Sequence, residues 1–443
     1  MSVSPKLIGI IIVVLVIGVA VGYLIPSLTA PPPEKPVLRV WLMPFIDEPE
    51  KVLAPIVEKF EEKYDCVVEL TTVSYAEAVS KIQAAIAAGE APDVVYQTQG
   101  RFIPIAEFGE AALVVDDLVE EFRDQFLYPD ILLESVKWKG HFYGVPFNFW
   151  TYLWAVNVDI LKEAGYSDEF INSLADYDNP NWNWDTLHEI LQRCTMDRDG
   201  DGEIDTWGMA YPGGENWLHP FLLWLWLCGG EPFTENYEPN FNTPEVVCAL
   251  SWLKQVMEEG LMPPGSENLK AGEAIDYFKT GKVAVLWGSG GWPSNLCETF
   301  KRDNPDLNYK VIYPPLGKAG RRDTYLGVAL WQILKQSKNI ELAKNWIRFW
   351  LTDPDAQKFQ EDYLYFFPVL ENAAKGKLSE TYPDIAAMYI KSLEAAHGEP
   401  IHPKMAEIKL MYNTITQRVL LGELTPEEAA EEMQREAEEI VSG

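Results

Sequence analysis

Between Val37 and Tyr96 the chain alternates strand-like and helix-like stretches, and this order constrains the fold more than any other feature. Val37 to Leu42 alternates as a short strand does, and Lys51 to Lys63 carries apolar residues at helical spacing before a second strand at Cys66 to Thr72. Ala76 to Ala88 is again helical, ends at Gly89, and leads through Ala91-Pro92 into Asp93-Val94-Val95-Tyr96. A β-α-β-α-β order predicts a mainly parallel sheet with helices on both faces, since parallel neighbours need a crossover that a helix supplies. Ligands of such sheets settle beyond the carboxyl ends of the strands. Pro44 to Glu48, Ser74-Tyr75 and Gln97 to Arg101 are therefore the first places to look for a site.

With 443 residues the chain exceeds one domain of the usual size, about 100 to 200 residues. From Trp150 onward the texture changes to longer, aromatic-rich helices, among them His219 to Cys228 and Val246 to Glu259, which predicts a second lobe. Lys282 to Trp287 and Lys310 to Tyr313 read as strands, Ile340 to Leu351 as an amphipathic helix, and Pro426 to Ile440 as a closing helix rich in Glu.

Leu7 to Ile25 is a run of 19 residues without a charge, long enough as a helix to span about 28 Å of hydrocarbon. It predicts one N-terminal transmembrane helix, and Lys6 on its N-terminal side places the remainder outside the cell. A cleaved signal peptide is the rival reading, with Leu28-Thr29-Ala30 as its cleavage site, although its apolar core is normally about 7 to 15 residues. Pro31, Pro32, Pro33 and Pro36 form a stiff spacer after it. The formal charge of -31 is spread along the chain and repels phosphate backbones and anionic lipid, which disfavours nucleic acid as a partner; no nucleic acid is expected. The five cysteines, Cys66, Cys194, Cys228, Cys248 and Cys297, contain no C-x-x-C pair, and their disulfide pairing is not deducible.

The sharpest motif is Asp197-Arg198-Asp199-Gly200-Asp201-Gly202-Glu203-Ile204-Asp205. Asp197, Asp199, Asp201, Glu203 and Asp205 stand at alternate positions of a calcium loop, with Gly202 where the chain turns. Gly208 replaces the bidentate Glu of an EF-hand, so the last ligand comes from elsewhere in the fold or from water. The expected ion is a structural Ca2+, because the loop joins a helix to a strand and offers no substrate opening.

Sixteen Trp and twenty Tyr form an aromatic excess, and Trp150, Trp182, Trp184, Trp217 and Trp292 lie in turns rather than at core periodicity. Sugars present apolar faces and a rim of hydroxyls, so their sites combine flat aromatics with carboxylates, amides and Arg. Trp292, in Gly290-Gly291-Trp292-Pro293 directly after a strand, is the strongest stacking candidate, whereas Trp252 and Trp346 read as core. There is no G-x-S-x-G elbow, no H-E-x-x-H, no phosphate loop and no G-x-G-x-x-G opening a helix, and the five histidines are scattered. The chain is read as a binding protein rather than an enzyme.

Several pieces resemble a known family, the family 1 extracellular solute-binding proteins of ABC importers, which contains the maltose- and maltodextrin-binding proteins. They are Ala91-Pro92-Asp93-Val94-Val95, Tyr143-Gly144-Val145-Pro146, Leu153 to Asn157, Leu161 to Gly165, Phe278 to Val285, Gly291-Trp292 and Phe349 to Ala356, and their order covers Val37 to Ile440. The resemblance implies an α/β, two-lobed periplasmic-binding-protein fold of type II-like topology, with residues 37–146 and 311–356 in the first lobe and 147–310 and 357–443 in the second. It implies hinge strands at Val145 to Trp150 and Val311 to Pro315, a sugar ligand in the cleft, and delivery to ABC permease subunits. Carried over, Gln97 and Arg101 contact sugar from the first lobe, and Trp150, Trp292 and Trp217 from the second. Tyr75, Glu215, Tyr325 and Tyr365 are added because they follow predicted strands or lie in glycine-rich turns. Gln97 stands where maltose-binding members have a stacking Trp, and Lys409 falls near another lost aromatic, so plain maltose recognition is not implied. A binding protein for peptides or another solute, and an anchored glycosidase, are the alternatives.

Overall fold

The computed structural model of the chain describes residues 35–44, 46, 48–75, 77–214, 220–287 and 293–443. Leu7 to Ile25, Glu215, Trp217 and Trp292 lie outside the described residues. Val37–Leu42, Val67–Thr72 and Val94–Thr98 pair in parallel, joined by the helices Pro49–Tyr64 and Ala78–Ala88, as the alternation predicts. Gly89 closes the second of these helices at φ 74°, a left-handed conformation that glycine adopts without strain.

The larger sheet has seven strands, in the order Phe367–Pro368, Val145–Thr151, Thr324–Ile333, Val94–Thr98, Val37–Leu42, Val67–Thr72, with Ala396–Gly398 beside the start of Thr324–Ile333. Val145–Thr151 and Phe367–Pro368 run antiparallel to their neighbours, so the sheet is mixed rather than mainly parallel. Thr324–Ile333 is buried along its whole length, which matches its central place in the sheet. The second sheet has four strands, ordered Tyr309–Ile312, Trp154–Asn157, Val283–Leu286, Trp207–Met209.

Each sheet has its own core. Around the first, Trp331 lies 5.1 Å from Phe147 and 5.6 Å from Trp346, all of them buried. Around the second, Trp224 contacts Trp154, Trp184 and Trp252 at 5.9, 5.5 and 5.7 Å. The aromatic excess therefore goes chiefly into packing. Trp182 and Trp184 correct the turn-based expectation: Trp182 is fully buried and donates its indole N–H to the Tyr313 carbonyl at 2.7 Å, and Trp184 is 5% exposed. Both belong to the second core because the turn that carries them folds inward.

The chain passes between the sheets at Tyr152-Leu153, between Tyr313 and Asp323, and between Glu399 and Lys404. These crossings differ from the expected lobe limits. Val311 and Ile312 pair in the smaller sheet, and residues 357–398 supply two strands of the larger one. Strands of two or three residues carry no periodicity from which their sheet could be read. Val145–Thr151 is an inner strand of the larger sheet, so the first crossing follows it rather than lying within it. A disulfide joins Cys228 to Cys248, with Cα atoms 6.2 Å apart, and closes the loop between the helices Pro220–Leu227 and Pro244–Glu258.

Candidate functional site

The carboxyl ends of the parallel strands point toward the crossings. Tyr75 follows Val67–Thr72, and Arg101 lies in the first turn of the helix Gln99–Glu107 that follows Val94–Thr98. The fold brings the two together: the Arg101 guanidinium lies 4.9 Å from the centre of the Tyr75 ring, and its Nη1 donates to Thr98 Oγ1 at 3.4 Å. Burial raises the Tyr75 hydroxyl above its ordinary pKa, and the Arg101 charge partly offsets the rise. The pair presents a cation and an aromatic face that are both half-buried.

Tyr325 stands at the start of the strand Thr324–Ile333, with its ring 4.7 Å from Tyr152 and 6.5 Å from Trp226. Burial first, and then the negative charge of Glu399, hold its hydroxyl well above the ordinary range, while Arg101 pulls the other way. Arg101, Tyr325 and Glu399 are thus electrostatic neighbours at the join between the two sheets. Tyr365 belongs to another group: it neighbours Tyr382, whose hydroxyl donates to Glu298 Oε1 at 2.7 Å.

Two further expected contacts stand among groups of the protein itself. Gln97 is fully buried in the Val94–Thr98 strand, and neither its amide N nor its amide O has a partner. In this arrangement it reaches no open cleft, because Gln97 stands within the strand, opposite Leu330, whereas Arg101 lies in the helix that follows. Trp150 stacks on Phe366 at 4.5 Å and lies against Gly327, where any larger residue would collide with the indole.

Residues not singled out from sequence complete the region. Glu399, 8% exposed, accepts from the backbone N of Gly100 at 3.1 Å and pairs with Lys409 Nζ at 2.5 Å. Beside it, His397 lies between Glu231 Oε1 at 3.0 Å and Asp323 Oδ1 at 2.7 Å, and stacks on Trp226 at 5.0 Å. Gly100, in the first turn of its helix, leaves room for an acid to approach the backbone, but nothing in the sequence says which acid does so.

In the acidic loop, the carboxylates of Asp197, Asp199 and Asp205 place one oxygen each within 4.8 Å of the others. Asp197 accepts from the Gly200 and Gly202 backbones at 2.6 and 2.8 Å, and these bonds, the Gly202 bond first, hold its carboxyl below the usual range. Asp201 and Glu203 lie outside this cluster; the Asp201 carboxylate instead accepts from the Glu203 backbone at 2.9 Å.

Comparison with known proteins places these features in context. The model of a family described as bacterial extracellular solute-binding protein matches residues 55–387. An arabinooligosaccharide-binding protein of Bacillus subtilis is 25% identical over 334 residues, covering 72% of this chain and 70% of its own. A maltodextrin-binding protein of the same organism is 23% identical over 373 residues, 81% of this chain and 80% of its own. Among solved structures, an ABC substrate-binding protein from Listeria monocytogenes in complex with cycloalternan superposes with a TM-score of 0.71, at 21% identity over 92% of this chain and all of that one.

Proposed function

From the premise that this chain belongs to the bacterial extracellular solute-binding protein family, we propose that it binds an oligosaccharide between its two lobes and delivers it to the permease of an ABC importer. The observation that carries the reading is the Arg101–Tyr75 pair at the carboxyl ends of the parallel strands, beside the crossings. An aromatic face and a fixed guanidinium suit the apolar face and hydroxyl rim of a sugar. The names of the arabinooligosaccharide- and maltodextrin-binding relatives support the same class. Trp292 and Trp217 complete the site from the second lobe in this reading, on the strength of their sequence context. Among the described residues no helix is long and apolar enough to cross a membrane; the anchor assigned to Leu7 to Ile25 rests on its sequence.

A thermal-shift screen of the purified protein against arabino- and maltooligosaccharides and peptides tests the proposal. A ligand held by the folded state alone at 100 times its dissociation constant adds about 2.7 kcal/mol. The expected result is a raised midpoint with one oligosaccharide class, recovered uncut. A midpoint raised by peptides alone, or recovery of cleaved sugar, sinks the reading.

The acidic loop is assigned a structural Ca2+. Three carboxylate oxygens already converge, as hard-oxygen coordination requires, and backbone carbonyls and water supply the remaining ligands. Millimolar calcium is expected to raise the thermal midpoint and chelation to lower it, while Asp197→Asn loses the response. An unchanged midpoint of the wild-type protein with and without chelator removes the assignment.

A further inference from the structure

The pair formed by Glu399 and Lys409 joins three parts of the chain that the fold otherwise keeps separate. Glu399 begins the third crossing, directly after the strand Ala396–Gly398. Gly100, which donates its backbone N–H to Glu399 Oε2 at 3.1 Å, opens the first-lobe helix Gln99–Glu107. Lys409, bonded to Glu399 Oε1 at 2.5 Å, is carried by the second-lobe helix Met405–Leu420. A Cβ at position 100 would fall 2.5 Å from the carboxylate, so glycine is what lets the acid seat on the helix start. The pair is largely withdrawn from water, with Lys409 17% and Glu399 8% exposed. Tyr152, Tyr325 and Tyr412 surround it, each hydroxyl raised first by burial and then by the Glu399 charge.

We propose that Glu399 is a positioning residue for ligand retention: its carboxylate, seated on the first lobe, is the dock on which Lys409 of the second lobe lands as the cleft closes. Arg101, the next residue after Gly100, is the proposed sugar contact, so the dock lies one residue away from it. The inference rests on the oligosaccharide reading for its ligand but not for its geometry. In this proposal hinge bending draws Lys409 away from the carboxylate seated on Gly100, so that the ion pair belongs to the closed arrangement. Such a pair acts on escape rather than on encounter, because it stabilises the closed arrangement from which the ligand must leave.

Stopped-flow dissociation of maltotriose or arabinotriose, whichever raises the midpoint in the screen, is measured for the wild type, Glu399→Gln, Lys409→Met and the double variant. The expected result is a dissociation rate at least about 30-fold faster in each single variant, with the association rate unchanged. The double variant is expected to be no worse than the singles, since both remove one interaction. Unchanged dissociation in the singles, or effects that add fully, overturns the proposal. Lys409→Met carries the test where Glu399→Gln fails to fold by circular dichroism. Spin labels at the exposed Glu62→Cys and Glu431→Cys positions, one on each lobe, read the interlobe distance without any sugar. A closed population that shrinks in Lys409→Met supports the dock even if no sugar binds the wild type, an outcome that would overturn the sugar reading alone. An identical distance distribution in wild type and variant overturns the dock itself.

Discussion

Replacing Arg322 with Met is expected to lower stability by about 3–5 kcal/mol, an effect on the scale of leaving several buried carbonyls short of donors. Arg322 is 3% exposed and stands in the second crossing. Its Nε donates to the Tyr177 carbonyl at 2.6 Å, its Nη1 to the carbonyls of Trp182 and Pro314 at 2.9 Å each, and its Nη2 to the Asn179 carbonyl. One planar fork thereby satisfies carbonyls from the 177–182 turn of the second lobe and from the crossing itself. Met fills the same space but returns no donor, so the Tyr177 and Pro314 carbonyls lose their partner, while those of Trp182 and Asn179 keep only the backbone N–H groups of Leu316 and Trp182. Arg322→Lys is expected to recover little, since an ammonium on a flexible stem cannot reproduce donors aimed in three directions. Urea unfolding checks this; a loss below about 1 kcal/mol in Arg322→Met would mean that water replaces the guanidinium and that the turn is not held by it.

What could be read from sequence divides along physical lines. The parallel strands and their helices were legible because periods of two and 3.6 persist for a turn or more, and the join of Tyr75 to Arg101 follows from both standing at strand carboxyl ends. Phe367–Pro368 and Ala396–Gly398 were not legible: they become strands only because a neighbour is waiting for them, and they carry 357–398 into the first lobe. Trp182 was misread for a related reason, since a turn rich in Asn and Pro gives no sign that it folds onto a core. Gln97 shows how a strand end is misplaced from sequence: the strand runs on through Thr98, so a residue expected beyond it stands inside the sheet opposite Leu330. The ionic groups at the crossings could not be found at all from spacing. Glu231, Asp323 and His397 are separated by up to 166 positions and meet only through tertiary structure.

That last group makes stability depend on pH in a direction opposite to the common acid-labile case. Burial alone would push the His397 imidazole down, but Asp323 and Glu231 outweigh it and hold its pKa at about 9, against 6.5 for the unperturbed side chain. Arg321 also faces this cluster, with Nε 2.9 Å from Asp323 Oδ1, and Trp226 covers the ring. Between about pH 6.5 and 9 the folded protein keeps a proton that the unfolded chain has released, so folding binds protons and stability falls as pH rises. The contribution is fully present below about 6.5 and gone above about 9; from the size of the shift it is on the order of 3 kcal/mol. Because His397 lies on a strand of the larger sheet and Glu231 follows a second-lobe helix, loss of the proton weakens a contact between the lobes as well. Urea unfolding at intervals from pH 6 to 9.5 is expected to show a steady decline in the wild type. In His397→Gln the profile is expected to be lower at pH 6 and flat across the same window, because the glutamine amide still reaches the carboxylates but carries no charge to lose. A wild-type profile that is flat over this range, or a variant that declines in parallel with it, would assign the pH response to other groups and leave His397 a neutral packing residue.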